Sequence, residues 1–264
     1  MKFCRISLCV LLGLLVGWAD CRAAGYQVGV GVSVTSGLNV IAGYHNPDST
    51  KKWLQHFGVR LDMANTDALK SAIDSLIESY MDDGVDVGDG VKIDDGKLDA
   101  WHTGVLLDYY PFERGWRISG GYVWGNLELD SAIFGEIERA PSQRFYFYIA
   151  GDHYYYNGNT FSGGAEIDWN YHGPYLGTGF DLGIFCGFSV FMDVGVVFSA
   201  HPARLRLMIP QEQLYIYNKE TATWAPVTIP QLDNDIARAQ QDANRDLAKL
   251  KVFPMLKLGF AYRF

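Results

Sequence analysis

The sequence predicts an all-β protein: a closed, antiparallel transmembrane β-barrel of eight strands. Three observations favour this fold. No apolar run of helix length follows residue 23, eight segments alternate apolar and polar residues, and the links between those segments alternate between long and short. A bilayer can be crossed only by helices or by closed barrels, because every backbone polar group inside it must be satisfied by the protein itself. Without a helix-length apolar run, the alternation favours the barrel.

The first 23 residues are predicted to be a secretory signal peptide. Lys2 and Arg5 supply a positive start, an apolar run covers residues 9–17, and Ala23 ends a stretch with small residues at the cleavage positions. We therefore expect a cleaved leader over residues 1–23 and the barrel over residues 24–264.

Charge and cysteine content exclude several functions for the mature chain. Cleavage would remove three basic side chains and one acidic side chain, which changes the net charge from −8 to −10. Nucleic acid is not an expected partner, because its own backbone is negative. Three of the four cysteines would also leave, so Cys186 has no internal disulfide partner and matches no metal-binding spacing. A lipid-anchored form is disfavoured because Asp20, rather than a small residue, precedes Cys21.

The C-terminal segment shows the clearest alternation. From residue 256 to residue 264 the even positions are Leu, Leu, Phe, Tyr and Phe, and the odd positions are Lys, Gly, Ala and Arg. Side chains of a strand alternate between its two faces, so one face is apolar throughout. This ending resembles the C-terminal signature of outer-membrane barrels, an alternating strand closed by Phe that the barrel-insertion machinery recognises. In that resemblance the signal residues are Phe260, Tyr262 and Phe264.

The same alternation predicts seven further strands. The eight predicted strands cover residues 26–34, 38–45, 53–64, 97–110, 116–127, 162–181, 186–199 and 252–264. Transmembrane β-strands need about 9–11 residues, and bacterial barrels have an even number of them. An aromatic hairpin around Gly151 could add two more strands, so ten is the alternative number. A bulge or kink is expected at Gly173 and Pro174.

The connections differ in length in a regular way. Short links cover residues 46–52, 111–115 and 182–185, and long links cover 65–96, 128–161 and 200–251. Outer-membrane barrels place short turns in the periplasm and long loops outside the cell. Two short helices are predicted in the long loops, over residues 67–81 and 231–250, because apolar residues recur there at helical spacing.

A wider resemblance covers the mature chain. It rests on the stretches 106–112, 117–121, 173–177 and 192–198 and on the ending from Pro254. These resemble a group of small proteobacterial outer-membrane barrels, related in size and plan to the eight-stranded OmpW and OmpX type. The resemblance implies a location in the Gram-negative outer membrane, among lipid and lipopolysaccharide, after assembly by the barrel-insertion machinery. It implies little about function, because one barrel plan hosts several functions.

One set of charged residues falls on faces predicted to line the lumen. Eight strands leave an interior just wide enough for side chains. The favoured interpretation is therefore a compensated ion-pair network that fills the interior, and the other is a polar path for small solutes. The predicted set is Arg60, Asp62, Asp108, Arg117, Glu166, Asp168, Asp193 and Lys257.

No catalytic site, cofactor or metal site is predicted. Hydrolytic barrels need a histidine and a serine held with an acidic or amide partner, and none of the six histidines is followed two residues later by serine. His56, His102 and His172 are instead expected as polar partners on lumen faces. The predicted function is that of a non-enzymatic outer-membrane barrel, either structural or a narrow pore for an unidentified small solute. The alternative is an adhesin or ligand-binding protein that acts through its long extracellular loops.

Overall fold

The computed structural model of the chain describes residues 25–70, 85–86, 92–112, 115–136, 145–157, 160–209 and 212–264. The predicted signal peptide lies outside these residues, as do residues 71–81 of the first predicted helix. The described helices are α1 (Lys52–His56) and α2 (Ile229–Leu247), with a 3-10 turn at Asp67–Leu69. The fourteen described strands are β1 (Tyr26–Ser33), β2 (Gly37–Tyr44), β3 (Phe57–Asn65), β4 (Val85–Asp86), β5 (Lys92–Tyr109), β6 (Trp116–Glu136), β7 (Phe145–Ile149), β8 (Asp152–Tyr156), β9 (Thr160–Phe185), β10 (Phe188–Phe198), β11 (Arg204–Met208), β12 (Leu214–Asn218), β13 (Thr223–Pro226) and β14 (Val252–Arg263).

Eight of these strands close an antiparallel barrel, which confirms the predicted fold. The order around the barrel is β1, β2, β3, β5, β6, β9, β10 and β14, and β14 pairs back to β1 with Phe260 opposite Val30. Every neighbouring pair is antiparallel. The hairpin around Gly151 forms, as β7 and β8, but it belongs to a separate sheet. The ten-stranded alternative is therefore wrong.

The outward face of the barrel is an apolar band. On β5 the outward side chains run from Trp101 to Tyr109, about 27 Å along a tilted strand. At a strand tilt of about 40° this length spans roughly 20 Å across the bilayer, somewhat less than the apolar band of about 25 Å that membrane barrels present to lipid. Above Trp101 the outward residues become Asp99 and Lys97, which are exposed. The band therefore ends near Trp101, at the end of the barrel from which the long connections leave. We call this the long-loop end and the opposite end the short-turn end.

Three strands continue past the band at the long-loop end. β5, β6 and β9 extend to residues 92, 136 and 160, well beyond the strand ends predicted for the first two. β11 adds to the edge of this extension by pairing with β9, with Leu205 opposite Ile167.

Strand β9 corrects the predicted faces. Its pairing with β6 runs from residue 160 to residue 180 without a register shift, so the bulge expected at Gly173 and Pro174 is absent from this ladder. Pro174 is tolerated because the pairing of β9 with β10 extends only to Tyr175. The odd residues of β9, including Tyr171 and Tyr175, therefore point inward. The prediction that Glu166 and Asp168 line the lumen implied that the apolar residues around Tyr171 face lipid. These residues instead lie near or beyond the upper edge of the band.

One helix replaces the start of a predicted strand, and another confirms a predicted helix. Residues 53–56 were predicted as the start of a strand, but they belong to α1, and the strand begins only at Phe57. The second predicted helix is confirmed as α2, which begins at Ile229 with Pro230 in its first turn. None of the helices in the described part of the chain is both long and apolar enough to cross a bilayer.

The long connections carry a second, four-stranded sheet in the order β13, β12, β8 and β7. One face of this sheet packs against α2 through a small apolar core. We call the four strands and α2 the loop module. Its buried core consists of Ile149, Tyr154, Tyr156, Leu214, Ile216 and Leu232.

Candidate functional site

The middle of the barrel interior is filled with charged side chains. They come from β3, β5, β6, β10 and β14, each at a position whose neighbours along the strand face outward. All are at most 3% exposed. The residues are Arg60, Asp62, Asp108, Arg117, Asp193 and Lys257.

Asp193 joins the two arginines. Its two carboxylate oxygens accept from Arg60 Nη1 at 2.6 Å and from Arg117 Nη2 at 2.7 Å. Asp108 Oδ1 accepts from Ser119 Oγ at 2.5 Å and from Arg60 Nη2 at 3.2 Å. Each guanidinium is therefore held by more than one acceptor, as charged groups inside a protein require.

A second cluster surrounds Asp62. The Lys257 ammonium forms an ion pair with Asp62 Oδ2. The other carboxylate oxygen lies 2.7 Å from Asn39 Nδ2 and 3.2 Å from His102 Nε2. Lys257 Nζ also lies 5.9 Å from the centre of the Tyr175 ring. This lysine is therefore neutralised by a carboxylate that two other side chains, Asn39 and His102, hold in place.

Sequence reasoning missed one carboxylate of the network. Asp181 forms an ion pair with Arg117 Nη1, and it accepts from the Tyr110 hydroxyl at 3.2 Å. It lies in the part of the predicted strand beyond Gly173 and Pro174, where the expected bulge left the facing of the side chains open. The odd parity that places Tyr175 inside also places Asp181 inside, so correct parity would have found it.

Two residues of the predicted set lie elsewhere. Glu166 and Asp168 are even residues of β9, so they point away from the interior, in the part of the strand beyond the apolar band. Glu166 Oε1 lies 3.5 Å from Arg206 Nη1, and Asp168 lies opposite Arg204 across the β9–β11 ladder. The prediction that these two carboxylates line the lumen is wrong.

The histidines are distributed differently from the prediction. His102 lies inside the barrel, but His56 is on α1, where its Nδ1 is 2.9 Å from the carbonyl oxygen of Tyr110. His172 points outward from β9, with its Nδ1 2.9 Å from the Tyr122 hydroxyl. The lumen placement expected for His56 and His172 is wrong.

An apolar layer lies between the charges and the long-loop end. Its members come from β5, β6, β9, β10 and β14, and Tyr171 stacks on Phe253 with ring centres 3.8 Å apart. Trp169 packs edge-on against the same Phe253 ring. The buried members of this layer are Leu106, Val123, Tyr171, Tyr175, Val197, Phe253 and Met255.

The short-turn end has a lining of mixed polarity. A cavity of about 350 Å³ lies there, lined in part by His45, Tyr110, Asp181 and Arg263 and also by Ile184, Phe185 and Phe188. The His45 ring stacks on Tyr110 with centres 3.7 Å apart, and its Nε2 lies 2.8 Å from the Gln55 carbonyl oxygen. Burial lowers the pKa of His45, which favours the neutral imidazole in this position. The charge network thus meets a cavity of mixed lining on one side and the apolar layer on the other.

The described residues give little support to metal or nucleophilic chemistry in the interior. Within the described ranges, no group of three or more His, Cys, Asp and Glu side chains is placed to hold a metal ion. The interior imidazole of His102 contacts Asp62 rather than a serine hydroxyl. The charged side chains fill the lumen and join the strands of the barrel through ion pairs.

Comparisons with known proteins agree with this fold. No protein-family model matches the chain, and no curated protein sequence matches it. Among solved structures, CarO of Acinetobacter baumannii is similar with a TM-score of 0.55 and 16% identity, over 91% of this chain and 98% of CarO. CarO2 of the same organism has a TM-score of 0.53 and 15% identity, over 92% of this chain and 100% of CarO2. At such identity the likeness shows the fold, which is that of a small closed barrel.

Proposed function

We propose that the mature chain is a non-enzymatic barrel of the Gram-negative outer membrane whose lumen is closed. Its role is structural: it holds the loop module at the outer surface. The observation that supports this proposal is the filled interior, in which an apolar layer lies directly above a compensated charge network.

The outward surface supports a membrane location. The apolar band carries aromatic rings at both of its edges, where amphipathic rings belong in a bilayer. Tyr109, Phe112 and Trp116 lie at the short-turn end, and Trp101 and Trp124 lie at the other. We therefore place the short turns in the periplasm and the long loops among lipopolysaccharide head groups.

The interior argues against conduction. A solute path needs a polar lining along its whole length, whereas the seven buried side chains contributed by β5, β6, β9, β10 and β14 are apolar. The polar side chains that β1 and β2 contribute, Ser33 and Asn39, are at most 1% exposed and leave no open path beside them. Below that layer, Asp193 and both arginines bind one another and leave their charges compensated. Opening a path would separate these pairs and expose the apolar layer to water, and both changes cost free energy.

Single-channel recording on the mature protein in a planar bilayer tests this proposal. We expect no discrete conductance steps from the wild-type barrel. Protection from added protease in lipid vesicles verifies that the same preparation has inserted, so that absence of steps reports a closed lumen. Steps in the wild type whose ion selectivity changes with Asp193→Asn would establish the narrow pore instead.

A second candidate function is ligand binding by the loop module. The face of its sheet opposite α2 carries Tyr146, Tyr148, His153, Tyr217 and Trp224. Four rings surround Trp224 with centres 4.8–5.5 Å away, and Tyr148 is 71% exposed. Rigid aromatic side chains provide contact area at a low cost in conformational entropy.

Adherence to host-cell monolayers, measured with bacteria that express the protein, tests the second candidate. We expect Tyr148→Ala and Trp224→Ala to reduce adherence without changing the amount of folded barrel, which gel migration of unboiled samples reports. Adherence that is equal in wild-type and variant cells would leave the structural role alone.

The insertion signal remains a proposal as well. Phe260 and Phe264 expose their rings on the outward face of β14, as does Tyr262 in part, and the backbone N–H of Phe264 donates to the carbonyl oxygen of Tyr26 at 2.9 Å. We expect deletion of Phe264 to lower the amount of protein in the outer-membrane fraction. Phe185→Ala, at an exposed aromatic residue of the same barrel end, is the matched control. Undiminished outer-membrane levels after the deletion would contradict the signal.

A further inference from the structure

Two histidines meet at the long-loop end of the barrel. His172 points outward from β9, and His201 lies three residues beyond the end of β10. Their ring centres are 4.6 Å apart and the ring planes are inclined by 57°. His172 is half-buried and His201 is exposed. The two residues are far apart in the sequence, and no spacing motif indicates that they are neighbours.

Backbone hydrogen bonds fix the position of this pair. The N–H of Ala200 donates to the carbonyl oxygen of His172 at 3.1 Å, which ties the segment carrying His201 to β9. The carbonyl oxygen of His201 accepts from Trp169 Nε1 at 3.0 Å and from Ser199 Oγ at 2.6 Å. Its N–H lies 3.2 Å from the same Ser199 oxygen. The two imidazoles are therefore carried by backbone segments that are joined to each other.

We propose that His172 and His201 bind one divalent transition-metal ion. A metal–nitrogen bond of about 2.0–2.1 Å and a further distance of roughly 1.2 Å inside the ring place the ion about 3.2 Å from each ring centre. Two such rings at about 90° around the ion have centres about 4.5 Å apart, again on a metal–nitrogen bond of this length. The observed 4.6 Å matches this arrangement. Neighbouring nitrogen ligands at a right angle are typical of square-planar Cu²⁺ and Ni²⁺, and Cu²⁺ binds most tightly in the divalent series.

Tyr122 supplies an outer partner for the site. Its hydroxyl lies 2.9 Å from Nδ1 of His172. Histidines that bind metal usually donate their other ring N–H to a nearby oxygen, which fixes the tautomer and the ring orientation. His172 thus binds the ion through Nε2, with Nδ1–H donating to the Tyr122 oxygen. Water or an exogenous ligand completes the coordination, because the two imidazoles lie at the surface.

Titration of the mature, tag-free barrel with Cu²⁺ tests the site. The experiment uses a Cys186→Ser background, because the exposed thiol of Cys186 would compete for copper. We expect one ion per chain and an electron paramagnetic resonance spectrum with coupling to two imidazole nitrogens. His172→Gln and His201→Gln should each reduce this to one nitrogen and weaken binding by about a hundredfold, and Tyr122→Phe should weaken it by about tenfold.

A matched control separates this site from other imidazoles. His153→Gln, in the loop module, should leave affinity and spectrum unchanged, and the gel migration of unboiled samples verifies that each variant is folded. Two-nitrogen coupling that survives in both His172→Gln and His201→Gln would overturn the proposal. So would a wild-type spectrum with coupling to a single nitrogen.

Discussion

The middle of the barrel and the loop module use opposite kinds of interior. Inside the barrel, three cationic side chains and their carboxylate partners are buried together. Inside the loop module, the buried side chains are apolar except for the tyrosine hydroxyls and one carboxylate, Asp235. That carboxylate accepts from the Tyr154 hydroxyl and from Arg238, whose side chain is more than half exposed. The same chain therefore builds one compact region around charges and another around apolar contacts.

The surroundings of the two regions explain the difference. The proposed barrel exposes its outward face to lipid, so its polar residues can only be placed inside, where they must neutralise one another. Water surrounds the loop module, so burial of apolar surface stabilises it as in any soluble domain. In an alternating strand, the apolar residues therefore face outward within the bilayer and inward beyond its edge.

Arg117→Met tests the charged interior with the largest expected effect. The substitution keeps most of the side-chain bulk, but it removes the cation that pairs with Asp181 and leaves Asp193 with Arg60 alone. Removing one partner of a buried pair costs about 3–5 kcal/mol. We expect the urea midpoint of barrel unfolding in detergent to fall accordingly.

Arg206→Met is the matched control for that substitution. Arg206 is also paired with a carboxylate, Glu166, but its side chain is 73% exposed. Exposed pairs contribute about 0–1 kcal/mol, so the midpoint should barely change. Equal midpoints for the two variants would mean that water hydrates the interior charges, as in a pore.

Leu232→Ala tests the apolar interior of the loop module. Leu232 of α2 is fully buried in the module core, and truncating a buried leucine costs about 3 kcal/mol. We expect proteolysis to cut the module more readily, while gel migration of unboiled samples shows an intact barrel. Leu250→Ala, at an exposed leucine beyond α2, should leave the cleavage rate unchanged. Loss of the barrel itself after Leu232→Ala would show that the two regions unfold as one unit.

The sequence predicts the barrel wherever one strand face touches lipid. The outward residues of β1, β2, β3, β10 and β14 follow the predicted parity, because lipid tolerates only apolar side chains along their whole length. On β9 the prediction failed, since Trp169 and Tyr171 are apolar residues that face inward where the strand nears or passes the edge of the band. That error produced the misplaced Glu166 and Asp168, and the bulge expected at Gly173 and Pro174 concealed Asp181.

Three short strands of the last long connection were beyond reach for a different reason. β11, β12 and β13 contain only four or five residues each, too few for alternation to be distinguished from chance. The long periodic stripe of α2 was recognised because nineteen residues carry it. The pairing of His172 with His201 depends on tertiary structure, and no local pattern signals it.

Asn244→Ala tests how the free edge of β11 is covered. Asn244 of α2 accepts from the N–H of Leu205 at 2.7 Å and donates to its carbonyl oxygen at 3.2 Å, and Gln240 donates to the carbonyl oxygen of Leu207 at 3.3 Å. The helix thus supplies the hydrogen bonds that a neighbouring strand would make. Leaving the Leu205 groups without partners costs about 2 kcal/mol, so we expect faster hydrogen exchange at this amide. Arg245→Ala, one residue further along α2 and exposed, should leave that exchange rate unchanged.

Alkaline pH should weaken the loop module alone, and this is the smallest of the expected effects. Burial, helped by the hydrogen bond to Asp235, raises the pKa of Tyr154 above its ordinary value. A group whose pKa is raised on folding stabilises the folded state fully below the unfolded pKa, and that contribution is lost as the pH rises past about 10. We expect the thermal midpoint of the module, followed by near-ultraviolet circular dichroism, to decline between about pH 9 and pH 11. Tyr148 is exposed on the opposite face of the sheet, so Tyr148→Phe should decline like the wild type, whereas Tyr154→Phe should start lower and stay level. An equally steep decline in Tyr154→Phe would assign the alkaline transition to another group.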